Sequence, residues 1–86
     1  MSFVYSSNFR KKYKKLSKKS KKQFSERLDI FVKNEFDMIL NNHKLHGKFS
    51  YYRSVNIAGD IRLVYQKINN NTYYLISIGS HSELYE

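Results

Sequence analysis

The hydrophobic period changes once along this chain, near Gly47, and that single change bounds the folds open to it. Before it, apolar residues recur at helical spacing. Phe9, Tyr13 and Leu16 follow i, i+4, i+7, and Phe24, Leu28, Phe31, Val32, Phe36 and Ile39 keep the same rhythm in a second segment. Asn8 is the expected N-cap of the first helix. The second begins near Ser20, bends at Asn34 and ends in a short turn near Asn41 and Asn42, so the two form a hairpin joined around Ser17 to Lys19. After Gly47 the period is two, as half-buried strands require. Strands are predicted over Tyr51 to Ile57, Ile61 to Lys67 and Thr72 to Ile78, with turns at Ala58-Gly59-Asp60 and Asn69-Asn70-Asn71. Ser2 to Ser6 (SFVYS) also alternates and reads as a short edge strand, and Gly79 to Glu86 closes the chain as a loop or short helical turn. The order β-α-α-β-β-β predicts an α+β fold, a helical hairpin packed on an antiparallel sheet.

With 86 residues the chain has room for one domain, spanning 1–86, and a body this small buries only about 60% of its unfolded surface. Eight Tyr and six Phe offset the thin core by burying large areas per side chain. The absence of cysteine excludes a disulfide framework and any thiolate metal site, and fits a reducing compartment. Met1 to Ser7 is too short for the apolar part of a signal peptide, and no apolar run approaches membrane length. These features predict a soluble, cytoplasmic protein with no membrane partner.

Sixteen Lys and Arg against seven Asp and Glu leave a formal net charge of +9, a field that attracts polyanions. Nine of the sixteen lie in RKKYKKLSKKSKK, Arg10 to Lys22, which contains no acid. Such a run also serves simply as a solvated helix face, but an excess this large favours a polyanionic partner. Charge alone does not choose among RNA, DNA, a membrane surface and an acidic protein.

The polar groups without a packing role gather in the second half of the chain: His43 and His46 in NNHKLHGKF, Arg53 and Asn56 on one strand, Asp60 and Arg62 at the next, His81 and Tyr85 in GSHSELYE. Histidine, carboxylate and arginine together are what phosphodiester cleavage needs. A base takes the 2'-OH proton, an acid protonates the leaving 5'-oxygen, and a cation holds the charge gathering on phosphorus. Histidine titrates near neutrality and arginine grips two phosphate oxygens at once. Each residue has an ordinary reading as well: Asp60 can shape its turn, Tyr85 can pack the chain end, and an arginine in a strand is usually solvated or paired. His43-x-x-His46 lacks a third ligand nearby, so neither metal nor cofactor is expected.

From HKLHGKFSYYRSVNIAGDIRLVYQ through YYLISIGSHSELY the chain resembles the RelE/ParE toxin superfamily, and within it the YafQ-like ribosome-dependent mRNA interferases of type II toxin-antitoxin systems. The likeness rests on the order and spacing of a His-x-Leu-x-Gly segment, a Tyr-Arg pair, a Gly-Asp-x-Arg-Leu-Val-Tyr strand and a Gly-Ser-His tail, covering about half the chain. The edge strand and basic hairpin match in pattern only. The resemblance implies that His43, Asp60 and His81 are catalytic, that Arg62 faces the scissile phosphate, and that Tyr85 helps orient the substrate. It further implies mRNA in the ribosomal A site as substrate and a cognate antitoxin as inhibitor. Two positions depart from the pattern: Asn56 stands where a histidine is expected, and Ile61 where a tryptophan stands in relatives. Asparagine does not titrate near neutrality, so either His43, His46 or Asp60 covers one acid/base role or the rate is lower.

The leading expectation is a metal-independent endoribonuclease that leaves a 2',3'-cyclic phosphate and a 5'-hydroxyl. His81 acts as general acid, and Asp60 or His43 as the base or the group orienting it. Arg62 stabilises the phosphorane with help from Arg53 and Lys48, while Lys11, Lys12, Lys14, Lys15, Lys18, Lys19, Lys21 and Lys22 hold ribosomal RNA. The competing expectations are a non-catalytic ParE-like gyrase inhibitor and a decayed interferase retained as a binding protein.

Overall fold

Alternation in the second half of the chain builds the middle of a sheet. In the computed structural model, which describes residues 1–84, the strands are β1 (Ser2–Tyr5), β2 (His43–Lys44), β3 (Arg53–Ala58), β4 (Ile61–Asn69) and β5 (Thr72–Ser80), in the order β1-β5-β4-β3-β2. Helices α1 (Ser7–Lys14) and α2 (Lys18–Lys33) form the expected hairpin, and α3 (His81–Leu84) is a single turn after β5.

The sheet is mixed. From β2 to β5 every pairing is antiparallel, as expected, but β1 runs parallel to β5, with Ser2 opposite Thr72 and Tyr5 opposite Leu75. No tight turn joins β1 to its neighbour, so turn geometry does not impose a direction on it. The two-residue β2, in the NNHKLHGKF segment to which the sequence assigns no strand, extends the other edge by pairing His43 with Ser54. β3 starts at Arg53 rather than Tyr51, and β5 runs on to Ser80. Between β3 and β4 the chain reverses through Gly59 at φ +49°, a left-handed conformation that glycine adopts without strain.

The N-cap of α1 is Ser6, not Asn8: the Ser6 hydroxyl oxygen accepts from the Phe9 amide at 2.9 Å. A distant contact decides this. On β5 the register shifts between Ser77, opposite Val64, and Leu75, opposite Tyr65, leaving Ile76 as a bulge. The Ile76 carbonyl instead accepts from the Ser6 hydroxyl at 2.6 Å and from Asn8 Nδ2 at 3.4 Å, which ties the start of α1 to β5. α2 is capped by Ser17, whose oxygen accepts from the Ser20 amide at 3.0 Å, so it begins earlier than Ser20. It ends at Asn34, where the backbone becomes extended, and a 3-10 turn over Met38–Leu40 closes at Asn41 in the left-handed region.

The hairpin covers one face of the sheet. Phe9, Phe24, Phe31 and Leu40 pack on Val55, Ile57, Leu63, Tyr65, Tyr73, Leu75 and Ile78, all buried. Phe31 meets the rings of Tyr65 and Tyr73 edge-on at 5.0 and 5.2 Å. At the end of this core, Glu35 accepts from Tyr65 Oη at 2.9 Å, Tyr73 Oη at 2.8 Å and Lys67 Nζ at 3.0 Å. Burial alone would raise the Glu35 pKa, but these three donors outweigh it and hold the carboxyl below its ordinary value. The network continues through Asn42 Nδ2, which donates to Tyr65 Oη at 2.7 Å, to Arg53 Nε, which donates to Asn42 Oδ1 at 2.7 Å. Among the described residues no helix is long and apolar enough to cross a membrane.

Candidate active site

The face of the sheet turned away from the hairpin follows from strand parity. Residues paired across a ladder point to the same side. The pairs His43 with Ser54, Ser54 with Val64 and Val64 with Ser77 make one row, and Asn56 with Arg62 and Arg62 with Gly79 make the next. Adjacent rows on one face lie two residues, about 6.5 Å, apart along the strands. The ladder therefore gathers His43, Asn56 and Arg62 on one face from β2, β3 and β4.

Two backbone contacts bring the turn and the tail to this cluster. Arg62 Nη1 donates to the Gly59 carbonyl at 2.7 Å and to that of Ile61 at 3.3 Å, which holds the guanidinium beside the turn that carries Asp60. The His81 amide donates to the Asp60 carbonyl at 3.1 Å, so α3 starts next to the same turn. Both Asp60 and His81 are exposed. Tyr85 lies outside the described residues.

His43 is exposed on β2, with Nδ1 2.9 Å from the Asn41 carbonyl. A carbonyl only accepts, so Nδ1 is the donor in this contact, and in a neutral ring the lone pair then lies on Nε2. Beside it, Ser54 is fully buried and its hydroxyl finds no hydrogen-bond partner among the described residues, nor does the buried Asn56 Oδ1. Unpaired buried polar atoms cost free energy, and both lie on the side of the sheet turned away from the hairpin.

Arg53 is not part of this cluster. It pairs with Tyr65, a core residue, so it faces the hairpin side, where it donates to Asn42 and lies 5.3 Å over the Phe36 ring. Lys48, in a 3-10 turn over Gly47–Phe49, lies 5.2 Å over the Phe49 ring. Lys11, Lys14 and Lys15 are exposed on or just after α1, as are Lys18, Lys19 and Lys22 on α2, while Lys21 covers the Tyr13 ring at 5.4 Å. Lys12 turns inward, its ammonium 3.9 Å from Glu83.

Glu83 went unnoticed in the sequence, although Ser80-His-Ser-Glu83 has the spacing of a capping box. The Glu83 carboxylate accepts from the Ser80 hydroxyl at 2.8 Å and the Ser80 amide at 3.2 Å. Those bonds hold its pKa below the ordinary value. Ser54 was missed as well, although it shares parity with Asn56. Among the described residues no group of three or more His, Asp and Glu side chains gathers closely enough to hold a metal ion.

A helical hairpin packed on one side of a small five-stranded mixed sheet is the RelE-like α+β fold. More narrowly, the chain belongs to the YafQ family: the family model described as "Bacterial toxin of type II toxin-antitoxin system, YafQ" matches residues 1–86. Its fold is similar to that of YafQ from Escherichia coli strain BL21(DE3), with a TM-score of 0.82 at 18% identity over 98% of this chain and 97% of that one. The E. coli DinJ-YafQ complex gives 0.78 at 20% identity, covering 98% and 97%. The YoeB dimer from Staphylococcus aureus gives 0.77 at 26%, covering 94% and 97%. No curated protein matches the sequence.

Proposed function

We propose that this chain is an endoribonuclease that cuts mRNA in the ribosomal A site and so inhibits translation. The observation that carries the reading is the sharing of one open sheet face by His43, Asn56 and Arg62, with Asp60 and His81 joined through their backbones at its edge. The 2'-hydroxyl attacks the adjoining phosphorus and loses its proton to Nε2 of a neutral His43, whose Nδ1 is engaged by the Asn41 carbonyl. As the bond to the 5'-oxygen breaks, His81 delivers a proton to that oxygen, leaving a 2',3'-cyclic phosphate and a 5'-hydroxyl. Arg62 faces the phosphorus oxygens and stabilises the charge that gathers on them. Asp60, clipped to His81, orients the acid, and Tyr85 orients the substrate. No metal is required, because the nucleophile belongs to the substrate.

Lys11, Lys14, Lys15, Lys18 and Lys19 hold ribosomal RNA by charge, with Lys12 and Lys48 nearer the open face. Arg53, engaged on the other side of the sheet, has no part in the chemistry. The ribosome aligns the 2'-hydroxyl with the phosphate, which so small a site does not do alone. By likeness to E. coli YafQ, which forms a complex with DinJ, a cognate antitoxin holds the protein inactive in the cytoplasm.

The test is to add purified protein to programmed ribosomes and read the ends of the products. Cleavage within the A-site codon, with cyclic phosphate at the 3' end of the upstream fragment, is expected. Intact mRNA together with arrested DNA supercoiling would indicate a gyrase inhibitor instead, and intact mRNA with neither effect a binding protein that has lost its activity.

A further inference from the structure

The open face holds a cavity that the cleavage chemistry leaves unused. Leu45, Phe49, Tyr52, Val64 and Leu84 wall a space of about 230 Å³ above Ser77, with Lys12 and Glu83 also lining it. It lies beside the proposed reaction centre, because Val64 is two residues from Arg62 along β4 and shares its side of the sheet. That step of about 6.5 Å is comparable to the reach from a phosphate to the base of its own nucleotide. The volume is below the roughly 300–1,000 Å³ of sites for drug-sized ligands and suits one planar ring system.

The charge of the cavity is unusual for this protein. In a chain of net charge +9, the cavity next to the proposed phosphate site carries a carboxylate. Glu83 is fixed there: Ser80 holds one oxygen, the other lies 3.9 Å from Lys12 Nζ, and a side chain at Gly79, opposite Arg62, would meet the carboxylate at 3.6 Å. The bonds from Ser80 also keep it ionised. A carboxylate repels phosphate and accepts from N–H groups. Among the bases, guanine presents two adjacent N–H donors, N1–H and the 2-amino group, that can converge on Oε2, the carboxylate oxygen that Ser80 leaves open.

We propose that this cavity takes one base of the RNA, stacked between the apolar walls, and that Glu83 selects guanine by accepting from that edge. Lys12 pairs with the half-exposed carboxylate when the cavity is empty and turns to the RNA backbone when it is filled. The proposal rests on the nuclease reading for its biological use, but its test does not require cleavage.

The test uses the full chain with methyl-labelled Leu and Val and three cleavage-resistant 2'-O-methyl trinucleotides carrying guanine, hypoxanthine or adenine at the centre. The guanine trinucleotide should shift the Leu45, Val64 and Leu84 methyls and bind about tenfold more tightly than the adenine one, which offers neither donor, with hypoxanthine, which keeps N1–H, between the two. Glu83→Gln, which still accepts from Ser80 and so preserves the turn, should abolish that preference. Absence of methyl shifts, equal binding of the three, or an unchanged preference in Glu83→Gln would each overturn the proposal. Binding with guanine preference in a protein that leaves mRNA intact on the ribosome would remove the nuclease reading and keep the cavity. Cleavage without any preference for guanine would do the reverse.

Discussion

The amide of His81 donates to the carbonyl of Asp60 across 3.1 Å, a main-chain bond that fastens the first residue of α3 to the β3–β4 turn. Side-chain substitutions at either residue leave this fastening in place. His81→Ala should therefore preserve the melting transition while lowering single-turnover cleavage on programmed ribosomes by about 10²- to 10⁴-fold, the usual effect of losing one acid/base group. An unchanged rate would remove His81 from the mechanism.

Asn56 presents a buried Oδ1, unpaired among the described residues, opposite Arg62 at the position where the sequence resemblance leads one to expect a histidine. Asn56→His would place a titratable ring in that row. We expect faster cleavage, by about tenfold or more, and a new limb near neutrality in the pH–rate profile. A profile identical in shape to that of the parent would show that the position has no acid/base role.

The Glu35 carboxylate anchors three donors at the end of the core, and its pKa is lowered from the ordinary 4.5. A carboxyl with a depressed folded-state pKa contributes stability that is full above the unfolded value and is lost as pH falls through the folded one. Glu35→Gln should thus cost about 1–3 kcal/mol at pH 7 in urea denaturation, with the gap to the parent narrowing below about pH 4.5. A gap of equal size at pH 7 and pH 3 would mean that the charge is not what matters.

Exchanging Lys11, Lys14 and Lys15 for Gln tests the helical face separately from the chemistry. Each lysine that contacts a phosphate contributes about 0.7 to the slope of log K against log salt for single-stranded RNA. The triple variant should bind more weakly at low salt and show a slope shallower by about 2. The guanine preference should persist, because none of these three residues lines the cavity.

Most of the architecture could be read in the residues because it depends on local pattern. Helical spacing through Phe24, Leu28 and Phe31 and alternation through Val55 and Ile57 mark the faces that meet in the core. What could not be read depends on distant partners. Nothing near Asn8 reveals that Ser6 caps the helix, since the Ile76 carbonyl that holds Ser6 lies seventy residues away. The parallel setting of β1 has the same origin. The position of Arg53 is different: three residues separate it from Asn56, an odd interval, so alternation alone assigns it to the opposite face once both are placed on one strand. The lysine run, His43 and the Gly59-Asp60 turn could be picked out by residue type, whereas the capping-box spacing of Glu83 and the parity of Ser54 with Asn56 do not reveal that Glu83 lines a cavity or that Ser54 is buried.

The pairing of Ser2 with Thr72 also bears on the kinetics of folding. An edge strand made from the start of the chain docks on a strand made near its far end, so the loop that must close takes in nearly everything between them. Entropy opposes such a closure until the hairpin and meander are already in place, which shifts the rate from the microsecond regime of helical bundles towards milliseconds or slower. Until β1 docks, β5 presents an uncovered row of amides and carbonyls, and during that interval the growing structure is most open to pairing with the wrong strand.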